Sequence, residues 1–225
     1  MRPIMGPHMP NRAKTAPRAP AITPIEYGGM QAAFGHFNAE LFGGALCDVF
    51  IVLQRRAHSC GHFAPNRFAH RTKEGKQHEL SLNPDAFYGV SDKEICQTLC
   101  HEMAHLEQHM RGKPSANAYH NAEWALIMKT IGLMPSNTGK PGGKETGQKM
   151  SDYILPDGPF ELAFDKLAAT GWRLNLQSAP RAGKKGGGPS SKSKFTCPNC
   201  QQNVWGKPDV RVRCDACDLK MAAAA

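Results

Sequence analysis

The chain has 225 residues, 40% of them hydrophobic, which is room for one ordinary domain plus a small module. It contains no run of roughly 18 apolar residues, so a transmembrane helix is excluded. The basic N-terminus MRPIMGPHMPNRAKTAPRAP lacks the apolar stretch of a secretory signal, and a cytoplasmic protein is expected. The net charge of +9 is unevenly spread. Residues 1–20 carry four cations and no anions, residues 21–140 eleven of each, and residues 141–225 thirteen cations and eight anions. Basic ends on a neutral middle suggest a polyanionic partner such as nucleic acid, although charge alone discriminates weakly.

Residues 1–21 read as a disordered basic tail. Thr23-Pro24-Ile25-Glu26 has the form of a capping box with Pro at the first helical position, so a helix is predicted from there to about Leu41. Met30, Phe34, Phe37 and Leu41 form its buried stripe, and Gly43-Gly44 ends it. Residues 48–56, 60–71 and 77–82 read as three strands of an antiparallel or mixed sheet, with a turn at Lys73-Glu74-Gly75. The 60–71 strand is a candidate edge for pairing with an extended substrate. Ser91-Asp92-Lys93-Glu94 opens a second helix that runs to Arg111, with Ile95, Leu99, Met103, Leu106 and Met110 as its apolar stripe. A third helix is expected over 120–131, a loop over 134–150, a fourth helix over 159–170 and a flexible basic linker over 181–194.

The second helix carries His101-Glu102-Met103-Ala104-His105, an HExxH pattern. The histidines lie one turn apart on the face opposite the apolar stripe, where both imidazoles can bind one zinc. Glu102 can then act as general base towards a zinc-activated water. A catalytic zinc needs a third protein ligand and an open position. His109 is about 12 Å along the helix from His101, too far to share the ion. His120 and Glu123 on the third helix are the remaining candidates, with Glu123 otherwise a supporting or solvated residue. Cys96 and Cys100 beside the motif read as small buried hydrophobes rather than as a metal site with Cys60. His58, His62, His70 and His78 read as surface or turn residues, and Tyr119 is given no catalytic role.

Cys197-Pro198-Asn199-Cys200 and Cys214-Asp215-Ala216-Cys217 are two CxxC knuckles separated by thirteen residues, a zinc-ribbon spacing. Four thiolates make a closed site, so this zinc is structural, and a module this small needs it to fold. Trp205, Lys207, Arg211 and Arg213 are candidate nucleic-acid contacts.

The order helix, small sheet, ICQTLCHEMAHLEQH, Gly-containing turn, AYHNAEWALIMKTIGL and zinc ribbon resembles the SprT-like (Spartan-type) metallopeptidases. The resemblance covers about residues 22–135 and 195–218. It implies His101, His105 and His120 as zinc ligands, with Glu123-Trp124 following, and Glu102 as general base. It also implies cleavage of proteins bound or cross-linked to DNA, which neither spacing nor composition shows.

The resulting expectation is an α+β protein. A zincin-like catalytic domain spans 22–135, a loop and helical extension of open role spans 136–180, and a zinc ribbon spans 195–221. One catalytic and one structural zinc, protein substrates, DNA held by the basic linker and ribbon, no membrane and a monomeric state complete it. The rival readings are a catalytically silent nucleic-acid-binding adaptor and a general peptidase without DNA.

Overall fold

Helix α2 (Asp92–Arg111) starts where both halves of a capping box close. Ser91 Oγ accepts from the Glu94 backbone N–H, and the Glu94 carboxylate accepts from the Ser91 backbone N–H at 2.7 Å. The computed structural model describes residues 21–179 and 192–223. The basic tail lies outside them except for Ala21, and so does most of the 181–194 linker. Two compact units divide at Ala179/Pro180.

In the first unit, helix α1 (Ile22–Phe42) buries Met30, Ala33, Phe34 and Phe37. Strands β1 (Phe50–Leu53), β2 (Gly61–Ala69) and β3 (Lys76–Leu82) form a sheet of order β1-β3-β2. It is mixed: β1 runs parallel to β3 and β2 antiparallel to it, so β2 is an edge. Ile51, Leu80 and Leu82 turn towards the helices and join Leu99, Met103 and Leu106 of α2 in one core. Met110, expected in that stripe, is exposed at the helix end. Helix α3 (Ala122–Thr130) follows the turn after Gly112, starting two residues later than expected. Asn121 caps it, accepting from Trp124 N–H at 3.0 Å.

Three expectations are corrected. Thr23 does not cap α1: the N-cap is Ala21, without a side-chain bond. Glu26 instead turns inward and accepts from the Asn175 side chain (2.7 Å) and the Asn175 backbone N–H (3.1 Å). Donors from a distant segment compete better for this carboxylate than its own helix start, where the N–H groups can face water. The third correction concerns 134–150. Leu133–Ser136 is strand β4, paired antiparallel with β5 (Ser151–Ile154). Gly132 (φ +85°) makes the turn from α3 into β4, a left-handed conformation suited to glycine.

Of the 136–180 extension, residues 136–179 lie within the first unit. Helix α4 (Pro159–Ala169) buries Phe160, Ala163, Phe164 and Leu167, and Phe160 stacks on Phe37 of α1 with ring centroids 5.6 Å apart. His36 bonds the Ala163 carbonyl at 2.8 Å, and Trp172 Nε1 donates to Gly29 O at 2.8 Å.

The second unit has a sheet of order β10-β6-β7, from Ala222–Ala223, Ser193–Thr196 and Asn203–Gly206. A hairpin pairs β8 (Arg213–Cys214) with β9 (Leu219–Lys220). Phe195, Met221, Cys197 and Cys214 are its small core.

Phe160 is fully buried. Phe160→Ala is expected to cost about 3–5 kcal/mol in urea unfolding of the first unit. A loss under about 1 kcal/mol would show that α4 does not belong to the core.

Candidate metal and catalytic site

His101 and His105 project from one side of α2, and His120 precedes α3. One ligand atom from each falls within 4.8 Å of the others. The His105 and His120 Nε2 atoms are 3.1 Å apart, close to the roughly 3.3 Å separation of two nitrogens on one tetrahedral zinc. Trp124, fully buried, underlies all three rings: it stacks on His105 at 5.4 Å and meets His120 edge-on at 4.3 Å.

In two of the three rings the other nitrogen has a partner that sets the tautomer. His120 Nδ1 donates to the Gly147 carbonyl at 3.1 Å, and backbone bonds between His120 and Gly147 in both directions hold the loop there. His101 Nδ1 donates to Asp152 Oδ2 at 2.8 Å. These bonds leave Nε2 of both rings as the lone-pair donor. Burial, with the charge of nearby imidazoles, pushes His105 down to about 2 and His120 down to about 4, so both rings are neutral bases at neutral pH. For His101, burial opposes the charged form, but the Asp152 hydrogen bond and the charges of Glu102 and Asp152 outweigh it and raise the pKa. Three imidazole donors at this spacing, held as neutral bases or oriented by a carboxylate, fit a zinc ion.

Glu102 is buried, and burial pushes its carboxyl up to about 7 against the lowering effects of His101 and the Phe63 backbone N–H. It faces edge strand β2 closely. A Cβ on Gly61 would sit 2.9 Å from Ser81 O and 3.1 Å from the Glu102 side chain, so the glycine makes this approach feasible. Glu102 therefore lies where α2 approaches the edge strand β2.

Glu123 is not in the histidine group. Its Oε2 accepts from Gln108 Nε2 (2.8 Å) and from Lys113 N–H (2.7 Å), and these bonds lower its pKa. His109 is turned away as expected, against Phe63 and His78. Cys96 and Cys100 are buried among apolar neighbours, and burial raises both thiols. Among the described residues neither joins a metal-competent group.

Asp152 was not singled out from the sequence. It is buried, it bonds His101, and both its carboxylate and its carbonyl accept from Gln97 Nε2, at 2.7 and 2.9 Å. Its signal is an isolated aspartate in a four-residue strand far along the chain, and only the β4–β5 pairing brings it to α2.

In the second unit, Cys197, Cys200, Cys214 and Cys217 form the other metal-competent group, with sulfurs within 4.8 Å of one another. The Cys200 and Cys214 sulfurs are 3.7 Å apart, matching two thiolates about 2.3 Å from one zinc. The Cys200 and Asn199 backbone N–H groups point at Cys197 and, outweighing burial, hold its thiol down to about 7. That is the donor pattern of a metal knuckle.

Asp152→Asn keeps the shape but removes the carboxylate from His101. Zinc affinity of the first unit, read by competition with a chromogenic chelator, is expected to fall about 10–100-fold with melting little changed. Unchanged affinity would remove the orienting role.

No curated protein and no solved structure gave a match to the chain. The family model described as SprT-like family matches residues 30–142, about half of the chain. The matched span takes in most of α1, the sheet, the HExxH helix and the helix behind His120, and so the chain belongs to the SprT-like family.

Proposed function

We propose that this protein is a zinc-dependent endopeptidase with a zincin-like catalytic unit, and that it cleaves proteins bound or cross-linked to DNA. The observation that carries the peptidase reading is the buried Glu102 carboxylate, beside His101 on α2 where that helix approaches the edge strand β2. Family membership supports a protease-type hydrolase. The DNA-associated substrate rests on the family resemblance, the basic chain ends and the four-cysteine module with Trp205 exposed.

His101, His105 and His120 would hold the catalytic zinc, and Cys197, Cys200, Cys214 and Cys217 a structural one. When bound at the histidines, zinc acidifies water and polarises a peptide carbonyl. Glu102 accepts the proton from the attacking water at its carboxylate and returns it to the departing amine nitrogen. A carboxyl near pH 7 suits both halves of that exchange. The unpaired edge of β2 offers backbone N–H and C=O groups to an extended substrate chain, which would run past Glu102. Asp152 and Gly147 keep the imidazoles in the orientation that leaves their lone pairs converging.

The testing experiment is cleavage of a DNA-binding protein by zinc-loaded enzyme with and without DNA, beside Glu102→Gln. The variant is expected to keep its zinc and lose at least about 100-fold in kcat. The wild type is expected to cleave faster with DNA, less so at higher salt. Equal cleavage with and without DNA would leave a peptidase and remove DNA as its partner. Salt-sensitive DNA binding with no cleavage by the wild type would identify an adaptor.

A further inference from the structure

The face of the three-stranded sheet turned away from the helices departs from the polar surface expected of a solvated sheet. Phe50 on β1 and Phe68 on β2 are 53% and 39% exposed, and their rings meet edge to face, centroids 5.2 Å apart, across the central strand β3. The ladder between β2 and β3 shifts register between Ala64 and Phe68, where Asn66 has φ +53°. Such a bulge re-aims the side chains that follow it. Here it presents Arg67 and Phe68 on the outer face.

Charge is concentrated at the same place. Residues 21–140 are neutral overall, yet residues 67–76, at the end of β2 and the turn into β3, hold four cations and a single anion, Glu74. Arg71, Lys73 and Lys76, around the β2–β3 turn, are exposed and make no ion pair among the described residues. The one carboxylate within the outer face, Glu79, is buried and already engaged. It accepts from Ser81 Oγ at 2.6 Å, and His62 and Arg67 lie 3.2 and 3.9 Å from its oxygens. It therefore adds little repulsion towards an anion.

From these juxtaposed features we propose that the outer sheet face and the β2–β3 hairpin bind single-stranded DNA. Bases stack on Phe50 and Phe68, and phosphates lie along Arg71, Lys73 and Lys76. Exposed aromatic faces beside unpaired cations are the combination that recognises unstacked bases on a charged backbone, whereas a duplex keeps its base faces stacked on one another. The purpose of the site rests on the function proposed above. Gly61, beside Glu102, is eight residues along β2 from Ala69, about 26 Å. A strand held at the hairpin would therefore keep a protein attached to it within reach of the catalytic edge.

The test uses the full zinc-loaded chain carrying Glu102→Gln, so binding is read without cleavage and a failed peptidase reading leaves it intact. Anisotropy of a labelled oligothymidine is measured over a salt series. Arg71→Ala/Lys73→Ala/Lys76→Ala is expected to weaken binding at least 10-fold at moderate salt. It should also flatten the log–log salt slope by about 2. Phe50→Leu/Phe68→Leu keeps an apolar cover over Glu79 and is expected to weaken binding about 5- to 10-fold with the slope and melting temperature unchanged. Unchanged affinity in both variants overturns the proposal. A leucine variant that loses binding only as its melting temperature falls assigns the rings to shielding Glu79 and overturns it too. Duplex bound as tightly as single strand, or oligouridine bound more tightly, removes the assignment to single-stranded DNA. In the otherwise wild-type enzyme, slower cleavage of a DNA-free protein by the leucine variant, with oligothymidine binding unchanged, would make the face a protein contact instead.

Discussion

Three imidazole nitrogens must converge as bases inside a protein that gains most of its stability by excluding water. An HExxH helix brings two of them together through its own geometry. The third must be carried back by a chain reversal, and that reversal is held by a polar clasp. Gln108, buried on α2, donates to Asn121 Oδ1 at 2.7 Å and to Glu123 Oε2 at 2.8 Å. Glu123 also accepts the Lys113 backbone N–H beyond the helix end, and Asn121 caps α3 while its amide donates to Lys113 O. One set of hydrogen bonds thus ends α2, starts α3 and sets the place of His120. Breaking it would leave the buried Gln108 amide unsatisfied, so the turn is specified by desolvation cost as well as by attraction.

The same logic extends outward through β5. Asp152 can hold His101 only if β5 pairs with β4, and β4 follows directly from α3 through Gly132. Behind them α4 packs on α1, and the Glu26–Asn175 and Trp172–Gly29 bonds tie the segment after α4 to the first helix. The polar site is therefore supported by apolar contacts a full layer away. An orienting carboxylate in a loosely packed hairpin would not hold the 2.8 Å geometry that fixes the His101 tautomer.

Local signals in the sequence were those that physical periodicity or short-range chemistry makes visible. The Ser91–Glu94 box, the α2 stripe, the HExxH spacing and the CxxC knuckles all involve residues within one or two turns of each other. The chain reversal expected after Gly112 brought both His120 and Glu123 into view, and the family resemblance pointed to His120. Glu123 stayed open as a ligand because its carboxylate chemistry suits zinc as well as it suits the two N–H donors it meets. Glu26 misled for the opposite reason: a capping-box spacing is indifferent to distant donors, and those at Asn175 captured it. Strand β4 and Asp152 were illegible because a four-residue strand containing Pro135 has no pattern of its own. Its identity comes from a partner strand fifteen or more residues later, after a loop that also clamps His120.

The two metal-competent groups differ in what they leave open. Four cysteines would complete a tetrahedron around one ion, leaving no vacant position, so a metal there would serve to hold a small core together. Three histidines would leave one position on such an ion, and Glu102 is not part of their group. Its backbone contact with Phe63 matters here, because it links the base to the strand edge along which a substrate backbone would lie. A carboxylate raised by burial remains a competent base only while its proton can be exchanged with a neighbouring reactant. The close approach at Gly61 supplies that proximity without a side chain in the way. The proposed general base and the proposed substrate track are thus positioned by one contact between helix and strand. A change to that contact would alter proton transfer and substrate alignment together, while the three-histidine group could still retain its ligand geometry.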